Sequence, residues 1–204
     1  QQLQKRVLAE VWERRNVDIP AKTPEQLVTL ASIVEKETGR ADERSRVAAV
    51  FANRLRQKMK LQSDPTIIYG IVGGKGTRGR PIKRSEIQQP SPYNTYVIEG
   101  LPPGPIANPG RASLEATANP ARTRDLFFVA DGTGGHTLYA TYDQHHKNVG
   151  KVRALRKQVH NATLEPPEDA APPTAAGAPA DNNPATTTPP AAGRGIVERA
   201  LSMG

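Results

Sequence analysis

The run LASIVEKETGR, residues 30–40, closes an apolar helical pattern with two carboxylates and a glycine. On a 3.6-residue wheel Glu35 and Glu37 fall on opposite flanks of the apolar stripe, and Lys36 points away from it. A carboxyl held against an apolar face is a candidate general acid, because desolvation keeps it protonated near neutral pH. Cleavage of a glycosidic bond needs such a proton donor. The wheel does not choose between the two glutamates. Position along the axis favours Glu37, which lies nearer the negative end of the helix dipole, where an anion is disfavoured. The competing reading is a solvated Glu-Lys-Glu helix end.

A second constellation is SPYNTY, residues 91–96. Tyr93 and Tyr96 offer aromatic faces for sugar rings, and Asn94 offers an amide for an acetamido group. Turn formation explains the same residues. Other chemistries lack their patterns. The glycine-rich GGKGTRG has no Ser or Thr after its lysine at phosphate-loop spacing, and reads as a mobile basic loop. His145 and His146 are adjacent and make a poor metal pair; HExxH and cysteine pairs are lacking, so no metal or other cofactor is expected. There is no GxSxG elbow.

The elements that must position these residues are legible in outline. Leu3, Val7, Leu8 and Val11, with Trp12 beside them, make one face of a first helix. In TPEQLVTLASIVEKETG, Thr23 caps, Pro24 suits the first helical position and Gly39 suits the position after the end. Leu27, Leu30, Ala31 and Val34 form its buried stripe. A third helix in DERSRVAAVFANRLRQKM turns Val47, Ala48, Val50, Phe51 and Leu55 inward. LQSDPTIIYGI reads as a turn leading into an apolar run, and Asn108 or Ser113 as the opening of a helix at ASLEATAN. DLFFVADGTGGHTLYATY reads as a β-hairpin around a glycine turn, carrying His136, and DQHHKNVGKVRALRKQVH as a basic closing helix. The order predicts an α+β fold: a helical core that carries the chemistry, with a small β-hairpin.

Composition sets the boundaries. The chain has 204 residues and only 36% hydrophobic content. The deficit is concentrated in residues 165–193, where eight prolines stand among alanines with almost nothing to bury. A disordered tail over 162–204 is expected, after a first helix in 1–22 and a main domain in 23–161. The tail from residue 165 carries a net charge of −3, which leaves +11 of the overall +8 on the rest. So basic a domain suits a polyanion: nucleic acid, anionic lipid or an acidic wall polymer. With no cysteine there is no disulfide or thiolate chemistry. No window approaches the ~20 apolar residues of a membrane span. The chain opens without a methionine, as a piece of a longer protein would.

Taken together, LASIVEKETGRADERSRVAAVFANRLRQKMKLQSDPTIIYGI, SPYNTYVIEGLPPGPIANPGRASLEATANPA and LFFVADGTGGHTLYATYDQHHKNV resemble the endolytic murein transglycosylase (YceG-like) family, in order, over roughly residues 24–158. The resemblance implies cleavage of the β-1,4 bond between N-acetylmuramic acid and N-acetylglucosamine within peptidoglycan, leaving a 1,6-anhydro end. One glutamate serves as acid and then base. In many lytic transglycosylases that glutamate is followed by Ser or Thr, as Glu37 is by Thr38. Glu35 then becomes a possible second carboxylate, raising the pKa of Glu37 by repulsion or pairing structurally. The matching stretches imply Gln62, Asp64, Thr66, Tyr69, Tyr93 and Asn94 as substrate-binding residues, with GLPPGPI shaping a cleft wall. The implied partners are glycan strands and peptidoglycan synthases rather than nucleic acid. The implied place is the periplasmic, extracytoplasmic face of the inner membrane, anchored by an N-terminal segment outside this chain. Two other readings compete: a basic nucleic-acid-binding domain accounts for the charge alone, and a noncatalytic wall-binding module for everything except a perturbed glutamate.

Overall fold

The computed structural model describes residues 2–76, 79–131, 134–148, 150 and 154. In chain order they form α1 (Gln2–Glu13), α2 (Pro24–Glu37), α3 (Arg44–Arg56), α4 (Asp64–Val72), α5 (Arg84–Gln88), α6 (Arg111–Ala118), β1 (Phe127–Ala130) and β2 (His136–Tyr139). Residues 142–148 are again helical. The two strands pair antiparallel, Phe127 opposite Tyr139 and Ala130 opposite His136. The fold is α+β, as the order of patterns predicts. Most of the basic closing helix, residues 77–78 of the glycine-rich loop and the whole 162–204 tail lie outside the described residues.

The centre of the fold is α2. Its start obeys local rules: Thr23 Oγ1 accepts the Gln26 N–H (3.2 Å), and Pro24 fills the first turn. Its interior is buried nearly all round, with Leu27, Leu30, Ala31, Ser32, Ile33 and Val34 at or near zero exposure. A helix apolar on several sides must be covered on several sides. One face meets α3 through Val47, Val50 and Phe51, joined by Leu61, Ile106, Phe128 and Val129 in the main core. Another meets α1 and α6, where Leu27 and Ala31 pack with Val11, Ile19, Leu114 and Ala118. Phe51 and Phe128 meet edge to face, with ring centroids 5.8 Å apart, and so tie α3 to the hairpin.

Three local expectations are corrected. Residues 64–72 form a helix, not a turn and an apolar run. Pro65 supplies the helix start, and Gly73 stops it in the left-handed region (φ 60°), its N–H bonded to Tyr69 O. These terminal signals outweigh the strand preference of Ile67 and Ile68. Gly39 does not end α2 in a left-handed conformation; Thr38 ends it in extended backbone (φ −138°, ψ 132°). Finally, α6 starts at Arg111 with Gly110 as its cap, so neither Asn108 nor Ser113 opens it. Among the described residues, no helix is long and apolar enough to cross a membrane.

Candidate active site

The last turn of α2 carries both glutamates, and they leave the helix in opposite directions. Glu35 turns to the start of α6, where its Oε2 accepts hydrogen bonds from Ser113 Oγ and from the Gly110 N–H (3.1 Å). No side chain of α6's own cap residue serves that helix start, so a carboxylate from α2 does it, at the positive end of the dipole. Glu37 turns inward and is fully buried.

One oxygen of Glu37 is tied down: Oε1 accepts a 2.6 Å hydrogen bond from Ser63 Oγ. The other, Oε2, is buried without a hydrogen-bond partner among the described residues. An anion left so exposed to desolvation is costly, and the group takes its proton instead. Burial pushes the Glu37 carboxyl up to about 8; the Ser63 bond opposes this, Asp64 adds to it and Arg54 opposes it. At neutral pH Glu37 is therefore a neutral acid. Ser63 occupies Oε1, which leaves Oε2 as the uncommitted oxygen of the acid.

Ser63 is held from two sides. Its N–H donates to Thr95 Oγ1 (2.8 Å) and its carbonyl accepts from Thr66 Oγ1 (2.6 Å), while the two threonine hydroxyls meet at 2.9 Å. Next to it, Asp64 Oδ1 accepts from the Tyr96 hydroxyl (2.7 Å). Gln62 enters this turn in the left-handed region (φ 53°), a conformation costly for a residue other than glycine, and its N–H bonds Thr95 O (3.1 Å). From α3, Arg54 reaches the same turn, donating to the carbonyls of Lys60 (2.9 Å) and Leu61 (3.4 Å), to Gln62 Oε1 (3.1 Å) and, by Nε, to Leu126 O (2.6 Å). Thus α2, α3, the start of α4 and the segment after α5 converge on one buried carboxyl.

Comparison with known proteins gives the family. The model of the YceG-like family matches residues 1–151. The chain belongs to the YceG-like family. A relative named endolytic murein transglycosylase, from Bacillus subtilis, is 40% identical over 122 residues, covering 60% of this chain and 33% of that one. Another of that name, from Streptococcus pneumoniae, is 38% identical over 135 residues, covering 63% and 24%. The crystal structure of a YceG-like protein from Listeria monocytogenes aligns at a TM-score of 0.56 and 37% identity, over 62% of this chain and 40% of that one. The chain thus spans a third or less of the length of the curated relatives it matches.

Within this YceG-like domain, the sequence-derived candidates divide. Gln62, Asp64 and Thr66 stand in the turn and helix start beside Glu37. Tyr69 and Tyr93 form a half-buried pair, ring centroids 4.8 Å apart. The amide of Asn94 is not presented to a ligand. It is buried, its Nδ2 bonded to the carbonyls of Glu86, Ile87 and Gln89 and its Oδ1 to the Tyr96 N–H. Asn94 folds the loop that brings Thr95 and Tyr96 to Ser63 and Asp64. His136 sits on the hairpin, its Nδ1 3.0 Å from Glu43 Oε2. The charge that adds to the pKa of Glu37 comes from Asp64, not from Glu35 as the sequence reading allowed.

Sequence reasoning passed over Ser63, Thr95 and Arg54. Arg54 left a signal: it falls on the inward stripe of α3, one turn after Val50 and Phe51 and two after Val47. The GLPPGPI stretch runs beside α2, where the Ile106 N–H bonds Ser32 Oγ (3.0 Å). With the start of α2, its Leu101, Pro102 and Pro103 line a groove of about 570 Å³ that also touches Glu25 and Thr29. Glu25 is twelve residues from Glu37, roughly 18 Å along the helix, so this groove is a separate feature from the carboxyl site.

The partners of Glu37 make opposite predictions. Ser63→Ala removes a bond that favours the carboxylate and should raise the Glu37 midpoint. Asp64→Asn removes a repelling charge and should lower it. Shifts of about half a unit to one unit are expected in a carbon-13 NMR titration of the Glu37 carboxyl. Movement of both in one direction would contradict the geometry.

Proposed function

We propose that the chain is the catalytic part of a lytic transglycosylase acting within peptidoglycan glycan strands. The observation that carries this reading is a fully buried glutamate with one oxygen anchored by Ser63 and the other uncommitted among the described residues, its carboxyl pushed up to about 8 by burial. In the first step Glu37 Oε2 gives its proton to the glycosidic oxygen, and the bond from that oxygen to the muramoyl anomeric carbon breaks. In the second, the 6-hydroxyl of the same muramoyl residue attacks that carbon and returns its proton to Glu37. The product is a 1,6-anhydromuramoyl end, and no water is consumed. This route needs one carboxylate, which fits a site where Glu35 is committed to α6. The two-carboxylate scheme of ordinary glycosidases has no second candidate in Glu35.

The carboxyl is shut from solvent, so the wall over Oε2 must open for a glycan to enter. The proposed substrate lies on the extracytoplasmic face of the membrane, beside the synthases that supply new strands. The +11 charge that precedes the tail suits a polymer bearing lactyl and stem-peptide carboxylates. The test is digestion of purified sacculi followed by mass spectrometry. Fragments several disaccharides long with anhydro ends are expected. Reducing ends would mark a hydrolase, and binding without new ends would mark a noncatalytic wall module.

A further inference from the structure

Arg54 raises a question that hydrogen bonding does not answer. Its guanidinium is fully buried in the inward stripe of α3, and its bonds run to three main-chain carbonyls and the Gln62 amide oxygen. Carbonyls need donors, not a charge. Among the described residues its Nη2 is buried without a hydrogen-bond partner, as is Oε2 of Glu37, which becomes an acceptor once the acid has lost its proton. Burying a cation is costly unless an opposite charge stands near it, and among the described residues Arg54 forms no ion pair, Glu37 being a carboxyl that acts on it. We propose that Arg54 is the counter-charge for the Glu37 carboxylate, a positioning residue that stabilises the anion left when Glu37 gives up its proton.

This inference rests on Glu37 being the acid of the proposed reaction. The resting site holds Asp64, Arg54 and a neutral Glu37. Proton transfer puts a negative charge on Glu37 in a water-poor interior, where a fixed cation is far more effective than in solvent. Asp64 keeps the proton on; Arg54 makes its departure affordable and its return unforced, as an acid that must next act as a base requires. Burial lowers Arg54 to about 10, against the raising influence of Tyr96 and Glu37, so it stays charged at neutral pH. The other groups that bear on the site have defined roles. Ser63 bonds Oε1 and Tyr96 bonds Asp64. His145 stacks on Phe127, the ring that also lies 5.1 Å from the Arg54 guanidinium carbon. Burial, Arg54 and His146 pull His145 down to about 4, so it is neutral where Glu37 titrates.

The test is an NMR titration of the full chain from pH 5 to 10, reading the Glu37 carboxyl carbon and the Arg54 Nη nitrogens. In the unsubstituted protein both should move with one midpoint. In Arg54→Gln the Glu37 midpoint should rise by about one unit. A merely structural role predicts the reverse, because loosening the 60–62 turn would admit water and lower the midpoint towards the ordinary value. Unchanged or lowered midpoints in Arg54→Gln would overturn the proposal. Should that variant fail to fold, Nη resonances that stay fixed while Glu37 titrates would overturn it equally. The readout does not depend on turnover, so a failed anhydro-product assay would sink the reaction and leave the pairing standing.

Discussion

Replacing Glu37 by glutamine is expected to leave a folded protein whose rate of forming anhydro ends is reduced at least about 10³-fold. Glutamine keeps the shape, and its amide oxygen can still accept the Ser63 hydroxyl that now holds Oε1. It has no proton to give at neutral pH and cannot take one from the 6-hydroxyl, so both steps fail together. Glu35→Gln is the control on the same helix turn. Its carboxylate serves the start of α6 by accepting from Gly110 and Ser113 at one oxygen, and a glutamine amide oxygen in that place can accept both bonds without the charge. It should cost about 1 kcal/mol in stability and leave turnover within a few-fold. Anhydro-end formation measured on both variants decides the matter. A Glu37→Gln protein retaining a tenth of the rate, or a Glu35→Gln protein that loses most of it, would remove Glu37 from the centre of the mechanism.

The preference for Glu37 rested on local quantities, distance from the helix end and the residue that follows, and the structure turns that glutamate inward while Glu35 meets α6. The start of α2 was legible for the same reason, since Thr23, Pro24 and Gln26 act within one turn. What the sequence concealed lies at long range. Ser63 meets Glu37 across 26 residues and Ser113 meets Glu35 across 78, and nothing in the local pattern of either serine announces its partner. Asn94 was misread for a related reason. An exposed turn amide and a buried one that ties three carbonyls look alike in one dimension. The α4 segment was read from its isoleucines, when Pro65 and Gly73 at its ends were the stronger signals. Arg54 was visible as a charged residue in an apolar stripe. It was passed over because a stripe is read for its apolar members, while the exception carries the information. The competing reading left Glu37 in a solvated helix end. The structure buries it, and that burial is the main cause of its raised pKa.

That same burial should be measurable as a pH-dependent loss of stability. The carboxyl of Glu37 titrates near 8 in the native protein and at its ordinary 4.5 when the chain is unfolded. Below pH 4.5 both states carry the proton, and the group contributes all the stability it can. Between 4.5 and 8 the unfolded state releases its proton while the native state retains it, so stability falls as pH rises. Above 8 the native carboxyl ionises too and the loss levels off. The slope approaches 1.4 kcal/mol per pH unit, which makes about 3.5 kcal/mol by pH 7 an upper bound. Glutamine does not titrate, and every other carboxylate is common to both proteins. The melting temperature of Glu37→Gln minus that of the unsubstituted protein should therefore grow between pH 4.5 and 7, by on the order of 5–10 °C. Calorimetry at several pH values reads this difference directly. Parallel curves would mean that Glu37 is already ionised in the native state. A carboxylate ionised at neutral pH has no proton to deliver to a glycosidic oxygen, so the stability experiment tests the acid without any substrate. The free energy that disfavours the native anion is the same quantity in both measurements: it keeps the proton on the Glu37 carboxyl for the first step, and it is withdrawn from the fold as the pH rises.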